Sequence, residues 1–336
     1  MNNKNGSSQP FDTELQKEFT INKRKLMDLL IGKSIYGTEM EFLREYLQNA
    51  LDASKMQLWI DLQNGKYRGF INPKITDLGR ITPLDLSKYV YENYRIKVEM
   101  SWNDTQDKIR LKIIDQGIGI EKAYLNNLAE IGAGWKGRTF YQKTLKEILD
   151  WLYPTGGFGI GIQSAFMAVD IIEILTKSDL DQKAYKVILN SPEREGSITV
   201  EEISDYYIRG TCVSMEIEPE KFPYWAAKLQ NYYNDSQGDN NTEKILMFDR
   251  DKWDEFDPDA ILYYALQVVN QYIKIFILEP LFPIEVLSPV WSSDIHNNSY
   301  ISVLDFWQKG SMCITKSIRY EAVSYTHLTL PTNSRV

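Results

Sequence analysis

The chain has 336 residues, 43% hydrophobic and 25% charged, with a net charge of −8. That balance suits a globular protein of about two domains at ~150 residues each and argues against a role in coating nucleic acid. Two cysteines, Cys212 and Cys313, and two histidines, His296 and His327, exclude a disulfide framework and a Cys/His metal cluster. A reducing cytoplasm is the expected setting, and catalysis has only carboxylates, amides, backbone groups and a borrowed metal to draw on. No apolar run approaches the ~18–20 residues of a membrane span, so no membrane partner is expected.

Residues 1–17 are polar, lack a signal-peptide apolar region and read as a flexible leader. Residues 24–36 carry Leu26, Leu29, Leu30 and Ile35 at helical spacing. Thr38 with Glu41 three residues on has the pattern of a capping box, opening a helix over 39–59. Ile96–Trp102 and Lys108–Ile114 alternate apolar and polar residues around a polar turn, which predicts an antiparallel hairpin. Lys97, Glu99, Lys108, Arg110 and Lys112 fall on its outer face, so the sheet is covered on one side only. A short helix (residues 122–131), a basic glycine-punctuated stretch and an amphipathic run with Leu145, Ile148, Leu149 and Leu152 in register follow.

The glycine-rich "GGFGIGIQSAFMAVD" (156–170) then leads into a helix-like run, and further strands are expected at Ile171–Thr176, Ala184–Leu189, Ser197–Ile203 and Thr211–Ile217. This order predicts an α+β chain, a two-layer α/β sandwich. From about residue 221 the composition becomes linker-like. A helix over Asp257–Tyr272 and the apolar "IKIFILEPLFPIEV" look like the start of a second α/β domain. Residues 323–336 fit nothing before them and read as a non-native tail.

Four stretches carry chemistry. In "FLREYLQNALDA", Glu45, Asn49 and Asp52 lie at i, i+4 and i+7 and form one polar stripe. Such a stripe by itself reads as a solvated face, but Asn is a mediocre helix former and alternating Lys partners are missing. In "IIDQGIGI", Asp115 closes a strand and can accept from an exocyclic amine, while Gly117 and Gly119 admit a flat ring close to the backbone. Gly156, Gly157, Gly159 and Gly161 open a helix-like run whose free N–H groups suit phosphate, with Phe158, Ile160 and Ile162 threaded between them. The loop lacks the Lys-Ser/Thr ending of a Walker P-loop and does not follow a clear strand. Finally, Gly210-Thr211 opens a strand and offers a hydroxyl near Asp115.

In this order, the four stretches resemble the GHKL ATPases with their Bergerat nucleotide fold, and most closely the heat-shock protein 90 chaperones. The resemblance covers about residues 18–220, with a lid over about 121–161, and implies a Mg²⁺-dependent ATPase that binds ATP and ADP. It implies Glu45 as general base and Asn49 as the residue holding Mg²⁺ and, through it, the phosphates. Asp115 then reads adenine, with Asp52 beside it and Gly119 lining the base pocket. Asn127 matches a lid-side residue near ribose and phosphates. Gly156, Phe158, Gly159 and Gly161 match the loop over the phosphates, and Thr211 a residue bonding near Asp115.

The resemblance further implies nucleotide-driven lid closure, client proteins, and a homodimer when full length. Turnover would draw an arginine from a middle domain of which residues 221–322 hold only the linker and the start. "GAGW" (132–135) stands where the family has a Lys-Ser-Gly-like run, Ile162 where it commonly has an aromatic, and Leu62–Arg95 is longer than usual. A GHKL ATPase that switches another machine, such as a DNA-repair or defence effector, and a binding-only module are the alternative readings.

Overall fold

The computed structural model describes residues 39–125, 128, 139–156, 161–181, 183–191, 196–204, 206, 208–237, 258–277 and 280–288. The leader, the helix expected at 24–36, Thr38, Asn127, Phe158, Gly159 and the tail lie outside them.

Helix α1 spans Glu41–Gln63. Its N-cap is Met40, which makes no side-chain capping bond. The Thr38 half of the capping box expected from the sequence lies outside the described residues. The first turn is held by packing, since Met40, Phe42 and Leu43 are fully buried. Burial runs around most of α1 and takes in Asp52, Lys55, Gln57 and Asp61, so the polar stripe is only partly a solvated face.

Three short 3-10 turns and α2 (Lys88–Glu92) fill the connection to the sheet. Strands β1 (Ile96–Asn103) and β2 (Lys108–Asp115) form the expected antiparallel hairpin, and Ile109, Leu111 and Ile113 are buried. Short α3 (Lys122–Leu125) and α4 (Thr139–Glu147) follow, then a 3-10 turn at Asp150–Leu152 that buries Leu152. The run after the glycine loop is a seven-residue 3-10 turn, Gly161–Met167, rather than an α-helix. Strands β3 (Ile171–Lys177), β4 (Ala184–Asn190), β5 (Ile198–Ile203) and β6 (Gly210–Ile217) match the sequence reading to within a residue or two.

Helices α5 (Lys221–Gln237) and α6 (Pro258–Phe276) precede a last strand, β7 (Ile284–Leu287). The seven strands make one sheet in the order β5-β4-β3-β6-β2-β1-β7. Every neighbouring pair is antiparallel except β1 and β7, which run parallel with Ile96 opposite Ile284. Helices cover the buried face: α1 lies on β1 and β2, and α6 on β1, β7 and α1. The molecule is a two-layer α/β sandwich.

Residues 258–288, which the sequence suggests as the start of a second unit, return to this sheet. Phe282 is buried with its ring 5.3 Å from Tyr94 and 6.3 Å from Tyr91. The break in composition near residue 221 does not break the sheet.

Candidate functional site

The site lies along α1 where it passes β2 and the glycine-rich turn. Asp115 ends β2 opposite Thr211, the second residue of β6. Its carboxylate is 6% exposed and accepts from the Gly117 N–H at 2.8 Å. Burial pushes its pKa up to about 7, against the lowering effect of backbone donors at Gly117 and Thr211 and of the Arg209 charge.

The glycines around Asp115 are close-approach points. A Cβ at Gly117 would stand 2.5 Å from the Ala53 Cβ on α1, and the next N–H, of Ile118, donates to the Ala53 carbonyl at 3.2 Å. Gly119 has φ +68°, and a Cβ there would lie 2.1 Å from the Lys177 carbonyl oxygen. The backbone just beyond is pinned by the Thr176 hydroxyl, which accepts from the Ile120 N–H at 2.8 Å and lies 3.2 Å from the Thr211 hydroxyl. Only bare backbone fits between helix, loop and strand here.

Glu45, Asn49 and Asp52 meet the described ends of the glycine-rich loop. A Cβ at Gly161 would lie 2.8 Å from Glu45 Oε2 and 3.6 Å from Asn49 Nδ2. At Gly156 it would lie 3.2 Å from Asp52 Oδ2 and 3.8 Å from Asn49 Oδ1. Asn49 thus sits between the two ends, exposed, with Glu45 half-buried on one side and buried Asp52 on the other. The Tyr46 hydroxyl donates to the Ile162 carbonyl at 2.6 Å and ties the turn to α1. Glu45 is flanked by Arg44, whose guanidinium lies 3.4 Å from Glu45 and 3.1 Å from Glu41. Glu41 is held above the usual carboxylate range mainly by burial, although Arg44 pulls it down.

Of the expected site residues, Glu45, Asn49, Asp52, Gly156 and Gly161 gather at one end of this region, and Asp115, Gly119 and Thr211 at the β2–β6 end. Ala53 and Gly117 join the two. Asn127, Phe158 and Gly159 lie outside the described residues. The sequence reading passed over Thr176, whose hydroxyl bridges strand and loop, and Ala53, small enough to touch Gly117. A lone Thr in a strand and an Ala in a helix carry no local signal. Gln48 and Thr155, both bonded to Asp52, likewise carry little local signal, although Gln48 at i−4 from Asp52 has the spacing of a helical side-chain pair.

No protein-family profile matches the chain. Curated relatives do match, and three of them share one name. Chaperone protein HtpG of Campylobacter jejuni subsp. doylei is 30% identical over 218 residues, 64% of this chain and 30% of that protein. HtpG of Oceanobacillus iheyensis is 31% identical over 171 residues, 51% of this chain and 23% of the relative. HtpG of Clostridium botulinum is 32% identical over 180 residues, 54% and 24% respectively.

The chain is similar to the HtpG chaperones over about half its length or more, at 30–32% identity. The matched part spans less than a third of each of these relatives. The HtpG likeness agrees with the heat-shock protein 90 resemblance carried by the α1 stripe, the Asp115 loop and the glycine-rich turn. Among the described residues no helix is long and apolar enough to cross a membrane.

Proposed function

We propose that residues 39–288 form the nucleotide-binding unit of an HtpG-like chaperone and that this unit binds and hydrolyses ATP. The observation that carries the reading is the approach of Gly156 and Gly161 to Asn49 and Glu45 on the helix that also packs on the Asp115 loop. A polar stripe, a buried base-reading carboxylate and bare backbone converge there, and phosphoryl transfer needs positioning and charge neutralisation more than covalent chemistry.

In this reading Asp115 accepts from the adenine amine, Gly119 gives the ring room, and Thr211 supports Asp115 across the β2–β6 ladder. Glu45 orients the attacking water and takes its proton. Mg²⁺ with the nucleotide supplies neutralisation of the phosphate charge. Among the described residues no three His, Cys, Asp or Glu side chains gather as a metal cage. A cation held mainly by phosphate oxygens would take Asn49 as the ligand from this chain. Asn127, Phe158 and Gly159 belong to the proposed lid and phosphate loop on the strength of the family resemblance. Client binding, lid closure, dimerisation and a catalytic arginine from a further domain are the properties proposed for the longer protein.

Titration calorimetry with ADP and Mg²⁺ tests the reading. Micromolar to sub-millimolar binding that is lost in Asp115→Asn supports it. No heat at millimolar ADP ends it. Glu45→Ala should keep ADP binding and lose hydrolysis in a chain long enough to turn over.

A further inference from the structure

Asp52 is placed by the family resemblance beside the nucleotide, yet its carboxylate is engaged within the protein. Oδ2 accepts from the backbone N–H of Thr155 at 3.0 Å and of Gly156 at 2.7 Å. Oδ1 accepts from Gln48 Nε2 at 2.9 Å, lies 3.4 Å from the Thr155 hydroxyl and 3.5 Å from Lys55 Nζ. The Gln48 amide also bonds the Thr155 hydroxyl, closing a ring of three side chains. A carboxylate has about four lone-pair sites, and these contacts use them.

We propose that Asp52, Gln48 and Thr155 form a clasp that fixes the entry of the glycine-rich loop on α1. Asp52 is then a positioning residue and does not touch the nucleotide. The inference rests on the proposed nucleotide site, because what the clasp positions is Gly156 beside Asn49. Asp52 and Gln48 lie one turn apart on a rigid buried helix, so the ring cannot shift as a unit without leaving its N–H donors unpaired. Charge-assisted bonds from two successive amides to one carboxylate oxygen are the stronger class of hydrogen bond. The N–H groups of Thr155 and Gly156 therefore point at an internal anion.

The test combines amide hydrogen exchange on the nucleotide-free chain with ADP–Mg²⁺ titration for Asp52→Asn, Thr155→Val and Thr155→Ser. Slow exchange at Thr155 and Gly156 is expected in the unaltered protein. Loss of a charge-assisted bond should speed it by about tenfold or more in Asp52→Asn, and in Thr155→Val at Gly156. The Gly117 amide, held by Asp115, should not change, which separates clasp opening from global unfolding. ADP affinity should fall by about tenfold in the same two variants and return in Thr155→Ser. If Asp52→Asn weakens ADP while exchange at Thr155 and Gly156 stays slow, Asp52 is a direct ligand and the clasp is wrong. Faster exchange with unchanged ADP affinity removes the positioning role. Failure of the unaltered protein to bind ADP overturns the nucleotide reading and the positioning role, and the exchange result alone then decides whether the clasp exists.

Discussion

Gly161 stands against Glu45 so closely that a methyl group there meets Oε2 at 2.8 Å and the Glu45 Cβ at 3.3 Å. The nearest atom is the mobile end of a side chain, so the fold can yield by moving the carboxylate. Gly161→Ala is therefore expected to cost less than about 1 kcal/mol in stability. Displacing a general base by about 1 Å lowers turnover by roughly a hundredfold, so hydrolysis should fall far more than ADP affinity. Urea melts and ADP titration, with steady-state turnover in a chain long enough to turn over, separate these effects. Unchanged turnover would remove Glu45 from the role of base.

The pH dependence of stability reports on Asp115. Its carboxyl is raised to about 7 by burial in the folded protein, whereas an unfolded aspartate titrates near ~3.9. Between those values the folded state binds the extra proton, so this group stabilises the protein as pH falls from about 7 toward 4. The gain is absent above 7. Asp115→Asn should accordingly be more stable than the unaltered chain at pH 8, by about 1–3 kcal/mol, with the advantage shrinking by pH 5. The same substitution should abolish ADP binding. Chemical denaturation at the two pH values checks the sign, and an equal destabilisation at both contradicts it.

Local pattern revealed much of this fold. Ile109, Leu111 and Ile113 alternate with charged neighbours, so β2 and its face were legible, as were the hairpin to β1 and the strands from Ile171 to Ile217. Pairings made far along the chain were not. The β7 partner of Ile96 is Ile284, and this strand lies beyond the polar stretch at 231–244 that reads as a boundary. The described helix begins after Met40, whose burial with Phe42 and Leu43 no local pattern announces, while Thr38 of the expected capping box lies outside the described residues. In the site, Glu45, Asn49 and Asp115 stood out by residue type and spacing. Asp52 did too, but spacing could not show that it faces Thr155 and Gly156 rather than open space. Gln48 and Thr155 acquire their role only when two segments more than a hundred residues apart in sequence meet.

The return of the chain to the sheet at Ile284 leads us to expect that the preceding strands need residues 258–288 to fold. Removing them would expose the β1 edge and the aromatic cluster that Phe282 shares with Tyr91 and Tyr94. A chain ending at Gln237 should be insoluble or molten, whereas one ending at Ser288 should unfold cooperatively. Within the intact chain, Phe282→Ala should cost about 3–5 kcal/mol, the usual loss for a buried aromatic. Thermal melts and proton NMR dispersion of both truncations decide the matter. A well-dispersed, cooperative fold ending at Gln237 would restore the boundary near residue 221.

Gly210 offers the sharpest backbone test, because two independent constraints meet there. Its φ of +110° is one that residues with a side chain rarely adopt, and a Cβ would lie 2.1 Å from the Asp115 carbonyl oxygen. Asp115 ends a strand paired with that of Gly210, so its backbone cannot retreat cheaply. Gly210→Ala should cost about 3 kcal/mol or more, through strain and through displacement of the β2 end. Gly69 is the matched control: a Cβ there meets nothing within 4 Å, and Gly69→Ala should change stability by no more than about 0.5 kcal/mol. Because the clash falls on the backbone of Asp115 itself, the surviving folded fraction of Gly210→Ala should also bind ADP more weakly, whereas Gly69→Ala should bind it normally. Equal melting temperatures for the two variants would mean that the β2–β6 ladder is looser at Asp115 than its packing indicates, and with it the base-reading role assigned to that carboxylate would lose its support.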